Sequence, residues 1–310
     1  MKKPLIAVVG ATASGKTALA VRIAQKYNGE VVSADSMQIY KGMDIATAKP
    51  DADEMCGIPH HLIDFLEPTE TFSVSQYVEL ANKAIDDIIS RDKIPVLCGG
   101  TGLYVRSLVE NIQFTEQPVD EILREKLQSR YETEGGEELL KELAQFDPET
   151  AQRLHPSNSK RIIRAIEIYR TTGITMSEQV RNSKNVPSPF DLTAVGITYR
   201  NRQMLYDRIN KRVDIMLERG LIEEAREFYR SSVGQTAVGA IGYKELKPYL
   251  DGEMTLEQAV EHLKQETRRY AKRQITWFKK DSYINWIYAD KCRDVFEEAE
   301  KILSCRFTNG

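Results

Sequence analysis

The sequence predicts an α/β fold, a parallel sheet flanked by helices and interrupted by an inserted all-helical domain. Three observations predict it. Short apolar, β-rich runs alternate with segments of helical spacing through the first hundred or so residues, an alternation that builds parallel sheets covered on both faces. A glycine-rich loop falls at the first strand-to-helix junction. Charged helical segments without strand candidates then occupy residues 112–187 before a strand pattern resumes.

Taken in order, residues 5–9 (LIAVV) form an apolar strand run bounded by Gly10, and 17–27 carry Leu19, Ala20, Ile23 and Ala24 at helical spacing. Strands are predicted at 31–34, 61–66 and 94–98, with a helix over 74–89. The middle of the chain predicts helices over 120–131, 137–146 and 158–171. Residues 190–198 (FDLTAVGIT) return to strand patterning, and helices follow over 202–218, 222–229 and 256–279. The sheet domain is therefore discontinuous: residues 1–111 and 188–310 form the core with its C-terminal helices, and 112–187 form the insertion.

Composition narrows the class. A chain of 310 residues has room for two modest domains at about 150 residues each. With 41% hydrophobic and 29% charged residues it resembles an ordinary soluble protein, and it lacks the ~18-residue apolar run that spans a membrane. Lys2 and Lys3 before an apolar run imitate a secretory leader, but Gly10, Thr12 and Lys16 interrupt it. Net charge is −3, so nucleic-acid binding has to come from local basic patches. Cys56, Cys98, Cys292 and Cys305 form no CxxC pair and read as reduced thiols of a cytoplasmic protein.

The most specific motif is Gly10-Ala11-Thr12-Ala13-Ser14-Gly15-Lys16-Thr17, which fits G-x-x-x-x-G-K-[ST] between a predicted strand and a predicted helix. It makes the predicted sheet P-loop NTPase-like. Backbone N–H groups of such a loop turn inward around phosphate oxygens, Lys16 adds a point charge and Thr17 offers a hydroxyl to Mg²⁺. In open α/β sheets ligands lie beyond the carboxyl ends of strands. Asp35-Ser36-Met37-Gln38 and Gly99-Gly100-Thr101 are predicted to end there. Asp35 can act as a base or help hold Mg²⁺; the lesser alternative, taken alone, is a capping or turn aspartate. The His60-His61 pair has no third ligand at zinc spacing, and adjacent strand residues point to opposite faces.

Two basic stretches stand out: Lys160, Arg161 and Arg164 in the insertion, and Lys264, Arg268, Arg269, Lys272, Arg273, Lys279 and Lys280 along the last long helix. Either is a solvated charged face or an RNA surface. Arg208 and Arg212 are four residues apart on one helix, placed to clamp phosphate or to pair with Asp207 and Glu218.

Together, the P-loop, the block from Asp35 to Pro50 (DSMQIYKGMDIATAKP), the segments Pro59 to Asp64, Gly99 to Tyr104, Arg161 to Glu167, Ala240 to Glu245 and Ala271 to Trp277 resemble the tRNA dimethylallyltransferase (tRNA isopentenyltransferase) family along almost the whole chain. The resemblance implies transfer of a dimethylallyl group from dimethylallyl diphosphate to N6 of the adenosine 3′ of the anticodon, with Mg²⁺ as cofactor. It implies catalytic roles for Asp35, Thr101 and Lys16. Diphosphate binding is expected at Gly10, Thr12, Ala13, Ser14, Gly15, Lys16, Thr17, Arg208 and Arg212, with Thr17 on Mg²⁺. Binding of the tRNA anticodon stem-loop is expected at Asp35, Ser36, Met37, Gln38 and Thr101, and at Arg124, Lys160, Arg161, Ile162, Ile163 and Arg164 of the insertion. The same is expected of Arg268, Arg269, Lys272, Arg273 and Gln274. Ala11 stands where the family often has proline, and no zinc-finger extension follows, which implies the bacterial form; a monomer is expected. A P-loop kinase acting on a hydroxyl, and an RNA-binding regulator without turnover, are the competing readings.

Overall fold

Strand β1 (Lys3–Gly10) buries both of its faces. Leu5, Ala7 and Val9 point to one side and Ile6 and Val8 to the other, the alternation expected of a strand in the middle of a covered sheet. The chain runs from β1 into α1 (Lys16–Lys26), then β2 (Gly29–Ser33), the short α2 (Ala52–Met55), β3 (His60–His61), α3 (Val74–Ser90), β4 (Ile94–Gly99) and α4 (Gly102–Val109). The helices α5 (Glu121–Glu134), α6 (Gly136–Phe146), α7 (Pro148–Arg153), α8 (Ser159–Thr172) and α9 (Met176–Ser183) follow. The remainder is β5 (Phe190–Thr198), α10 (Arg202–Glu218), α11 (Leu221–Arg230), α12 (Gln235–Val238), α13 (Tyr243–Leu250), α14 (Leu256–Phe278), β6 (Ile284–Tyr288) and α15 (Val295–Leu303). The computed structural model describes residues 2–114, 120–183, 186–231 and 233–307. Its contacts divide the chain into two units, Met1–Val109 with Pro189–Gly310, and Glu110–Ser188.

In the first unit all six strands are parallel, in the order β3-β2-β4-β1-β5-β6. Leu5, Ala7, Val9, Val32 and Leu97 pack under Tyr77, Ala81, Ile85 and Ile88 of α3 and Phe278 of α14. The opposite face is covered by Leu19, Ala20, Ile23 and Ala24 of α1 and by Ala299 and Leu303 of α15. A third apolar cluster joins the loop residues Ile39, Tyr40 and Met43 to α11, α13 and α14 through Leu221, Ala225, Tyr243 and Leu263.

One expectation from the sequence changes here, and several elements were not expected. The predicted strand over 61–66 shrinks to His60 and His61, because Leu62 (φ 61°) and Asp64 (φ 57°) turn left-handed and break the ladder. Only an isolated bridge, Tyr40 to Leu66, resumes it. Strand β6 was not expected, nor were helices α2, α4, α7, α9, α12, α13 and α15. β6 reads INWIY, too short to stand out after a lysine-ended helix, and α4 and α13 begin beside glycines that mimic loop composition.

The second unit contains α5 to α9, and its described residues form no strand. Its core is Leu127, Leu139, Leu143, Ile162, Ile163, Ala165 and Ile166. The buried Glu167 accepts from Arg124 Nη2 at 3.0 Å and from Arg164 Nη1 at 2.9 Å. Ile162 and Ile163 were expected on the RNA surface; both side chains lie in this core instead, because they share the apolar stripe of α8 with Ile166.

Candidate active site

Parallel pairing brings the carboxyl ends of β1, β2 and β4 to one edge: Val9 is opposite Gly99 and Ser33 opposite Cys98. A side chain at Gly99 would place Cβ 2.1 Å from the Ala34 carbonyl oxygen, so glycine permits the close approach. The Thr101 N–H donates to Ala34 O at 3.1 Å, and Thr101 Oγ1 accepts from Ser36 N–H at 3.0 Å. Residues 35–38 and 101, more than sixty positions apart in sequence, are thereby stitched together.

Beyond β1 the P-loop passes through Ala13 at φ 59° and Gly15 at φ 95°, the left-handed residues that turn successive N–H groups to one side. Three residues hold the loop from outside. The Thr12 N–H donates to Gln274 Oε1 at 2.8 Å, Arg208 Nε donates to Ala13 O at 2.9 Å, and the Tyr199 hydroxyl donates to Ser14 O at 3.4 Å. Gln274 also donates from Nε2 to Gly100 O at 3.0 Å, joining P-loop to glycine loop.

These loops open on a cleft of about 290 Å³. Thr12, Lys16, Thr17, Asp35, Arg212, Arg273 and Gln274 belong to its polar lining, with Ser36, Gln38, Thr47, Lys244, Thr267 and Tyr270. Val213, Met216, Ala240, Ile241, Leu263 and Ala46 supply apolar walls. Burial, aided by Arg212, lowers the Lys16 pKa, while Cys98 and Asp35 act to raise it. Burial likewise lowers that of Arg212, against the field of Asp35, and pushes the Cys98 thiol up to about 11. Asp35 Oδ1 accepts from the N–H groups of Met37 at 2.9 Å and Gln38 at 3.4 Å, an aspartate turn that leaves Oδ2 for the cleft. Burial raises the Tyr270 hydroxyl pKa; bonds to Thr101 and Gln274 oppose it.

Of the residues singled out from sequence, Thr12, Lys16, Thr17, Asp35, Ser36, Met37, Gln38, Arg212, Arg273 and Gln274 line this cleft. Gly10 underlies the loop, where a Cβ would meet Ile197 O at 2.9 Å. Arg208 was expected with Arg212 on the diphosphate. Its guanidinium donates from Nε to Ala13 O and lies beside Ser14 and Gly15 of the same loop. Gln274 was expected on RNA; it is 5% exposed and both ends of its amide are used within the fold. Arg268 pairs with Asn210 and Glu261 and Arg269 with Glu266, while Lys272 and Arg273 are exposed. In the second unit Lys160 and Arg161 are exposed, whereas Arg124 and Arg164 are engaged by Glu167. Gln38 donates to Thr47 O and Ala48 O at 3.2 and 3.0 Å, folding the loop that forms one wall. His61 bonds buried Glu30 and His60 the Ile58 carbonyl; among the described residues no group of three or more His, Cys, Asp or Glu could hold a metal ion. Sequence reasoning missed Tyr270, Met216, Thr267 and Gly239, which carry no motif of their own.

A P-loop at the carboxyl edge of a parallel sheet, facing a carboxylate across a half-apolar cleft, defines a P-loop α/β enzyme of the group-transfer kind. Residues 38–281 match the family model described as IPP transferase. The chain is 47% identical over 287 residues to the tRNA dimethylallyltransferase of Halalkalibacterium halodurans, covering 92% of this chain and 91% of that one. It is 46% identical to the Bacillus subtilis tRNA dimethylallyltransferase, covering 92% and 90%. Among solved structures it resembles the full-length tRNA isopentenylpyrophosphate transferase of Bacillus halodurans, with TM-score 0.72, 44% identity and coverage of 97% and 94%. It also resembles a eukaryotic dimethylallyltransferase acting on tRNA, with TM-score 0.80, 30% identity and coverage of 98% and 77%. The chain belongs to the IPP transferase family. Among the described residues no helix is long and apolar enough to cross a membrane.

Proposed function

We propose that this enzyme transfers the dimethylallyl group from dimethylallyl diphosphate to N6 of the adenosine 3′-adjacent to the anticodon of tRNA, releasing diphosphate. The observation that carries the reading is that Lys16 and Asp35 face one cleft whose lining is cationic in one part and apolar in another. The donor's diphosphate sits at the P-loop, met by its N–H groups, Lys16 and Arg212, and its hydrocarbon lies against the apolar wall.

N6 of the adenine attacks the first carbon of the donor as the bond from that carbon to the diphosphate oxygen breaks, and its proton passes to Asp35 Oδ2. The electron pair of the broken bond stays on the leaving oxygen, where Lys16 and Arg212 stabilise the growing charge. The 37 and 38 N–H groups hold the other oxygen of Asp35 and so orient Oδ2 toward that proton. Thr101 and Ser36 keep that carboxylate loop in place. The hard oxygens of Thr17 and Asp35 on the cleft wall fit Mg²⁺, an ion held by few protein ligands and mainly by substrate oxygens. When bound, Mg²⁺ neutralises charge on the departing diphosphate. Arg273 and Lys272, with Lys160 and Arg161 of the helical unit, contact the phosphates of the anticodon arm, positioning the RNA without reading its sequence. The adenine leaves the stack to enter the cleft. A cytoplasmic monomer suits this substrate.

The test incubates the protein with Mg²⁺, labelled dimethylallyl diphosphate and unmodified tRNA, beside a reaction supplied with ATP. Label in tRNA without ATP is expected; ATP consumption without label would return the chain to the kinases. Asp35→Asn is expected to bind both substrates and lose ~10²–10⁴-fold in kcat, and full turnover would remove Asp35 from the base role.

A further inference from the structure

The loop from Met43 to Lys49 supplies Ala46, Thr47 and Ala48 to the cleft; Gln38 and bonds within the loop hold its second half, while its first half is held from far away in the sequence. The Glu224 carboxylate, in the first turn of α11, accepts three consecutive backbone N–H groups: Asp44 at 3.0 Å, Ile45 at 2.7 Å and Ala46 at 2.9 Å. Its Oε1 also accepts the Tyr243 hydroxyl at 2.8 Å. Three amide donors turned toward one anion form a nest filled by a side chain rather than by a ligand. The residue before Tyr243 closes the other side of the same wall. Gly242 (φ 115°) lies so close to Ala46 that a Cβ there would come 3.0 Å from the Ala46 Cβ. The pair Glu224–Tyr243 therefore clasps the loop against the start of α13, at the apolar part of the cleft beside Val213, Met216, Ile241 and Leu263.

We propose that Glu224, with Tyr243, is a positioning residue for the prenyl donor: by fixing Ala46 against Gly242 it sets the depth of the apolar wall and so restricts the donor to a short hydrocarbon. The proposal rests on the prenyl-transfer reading. Neither residue touches the reacting atoms; each acts through the backbone of residues 44–46. Releasing the wall by about an ångström costs donor placement roughly 10–100-fold, while the P-loop, held through Gln274, keeps its arrangement and the Asp35 loop stays tied to Thr101 and, through Gln38, to Thr47 and Ala48.

Donor binding to the full chain is read by calorimetry with Mg²⁺ and dimethylallyl diphosphate, and steady-state constants are read for both substrates. Glu224→Ala is expected to weaken donor binding and raise the donor KM at least tenfold, to leave the tRNA KM within about twofold, and to improve the relative use of a ten-carbon prenyl diphosphate. Tyr243→Phe, which removes one hydroxyl and is expected to fold even where Glu224→Ala does not, should shift the same constants in the same direction by a smaller factor. Glu224→Gln, which turns an amide NH₂ toward an N–H donor, should fall between native and alanine. Glu227→Gln, one turn along α11 and exposed, should match the native protein. If folded Glu224→Ala and Tyr243→Phe keep the native donor affinity and chain-length preference, or change only the tRNA KM, the proposal is overturned. If the native protein itself binds no dimethylallyl diphosphate, it is the prenyl-transfer reading that falls.

Discussion

Gln274 gives the sharpest physical test of how the cleft is held open. Replacing it with methionine keeps the volume but removes an acceptor from the Thr12 N–H and a donor from the Gly100 carbonyl. A buried polar group left without a partner costs about 1–3 kcal/mol. Gly100 is buried and Thr12 half-buried, so the first cost sits in the upper part of that range and the second in the lower. Apolar burial of the methionine offsets some of this, leaving a net loss of about 2–4 kcal/mol. At a urea m-value of ~2–3 kcal/mol/M, the unfolding midpoint should fall by about 1 M. The assay is urea unfolding followed by tryptophan fluorescence, since Trp277 is three residues along the same helix, together with calorimetric donor binding, which should weaken as the P-loop loses its outer support. Gln274→Glu still accepts from Thr12 but sets a carboxylate against the Gly100 carbonyl, and should also destabilise. A midpoint shift under ~0.2 M for Gln274→Met, with only the tRNA KM raised, would refute the reasoning and return Gln274 to the RNA surface.

Glu30 is 1% exposed and meets Arg91, Lys93 and His61; the Arg91 hydrogen bonds first, then Lys93 and His61, hold its carboxyl far below the ordinary value of 4.5. A carboxylate depressed in the folded state contributes stability that is complete above its unfolded pKa and is lost as pH falls through the folded value. Urea midpoints measured from pH 7 downwards should therefore decline below about pH 4.5, and Glu30→Gln should start lower and decline less; parallel curves would count against the network. Cys98, 7% exposed with its thiol pushed up to about 11, should resist iodoacetamide at pH 8 while the exposed Cys56 and Cys305 are alkylated, as read by peptide mass spectrometry; equal rates would mean the P-loop floor opens. Gly102→Ala would put Cβ 2.1 Å from Trp277 Cδ1, and overpacking of this kind costs ~1–3 kcal/mol, visible as a lower Tm; an unchanged Tm would show that α4 and α14 shift apart freely.

The parts of this molecule that were legible in the sequence are those written in one short window. The alternating run at Leu5 to Val9 and the motif from Gly10 to Thr17 specify a strand, a phosphate loop and a helix within two dozen residues, and the structure places them so. The return to the sheet at Phe190–Thr198 was equally local. Gln274 was misread because it lies in a basic run, although Ala271, Gln274 and Phe278 share the buried stripe of α14; the helical period carried that signal and the charge obscured it. The same reason explains Ile162 and Ile163. The clasp of Glu224 on Asp44 to Ala46 bridges about 180 positions and leaves no local trace, since an acidic residue in a helix's first turn is ordinary. The shortening of the third strand depended on two left-handed non-glycine residues that composition does not announce.

The central position of β1 has a consequence for how the chain is made. One edge of β1 pairs with β4, but the other waits for β5 at Phe190–Thr198, and β5 in turn waits for β6 at Ile284–Tyr288. As the chain leaves the ribosome from its N-terminus, β1 spends most of synthesis with an unpaired edge. The helical unit, whose core closes within residues 110–188, emerges just ahead of β5, the strand that covers that edge. Such long-range pairing slows folding. The phosphate loop, first to be translated, is braced only once Tyr199, Arg208 and finally Gln274 have arrived.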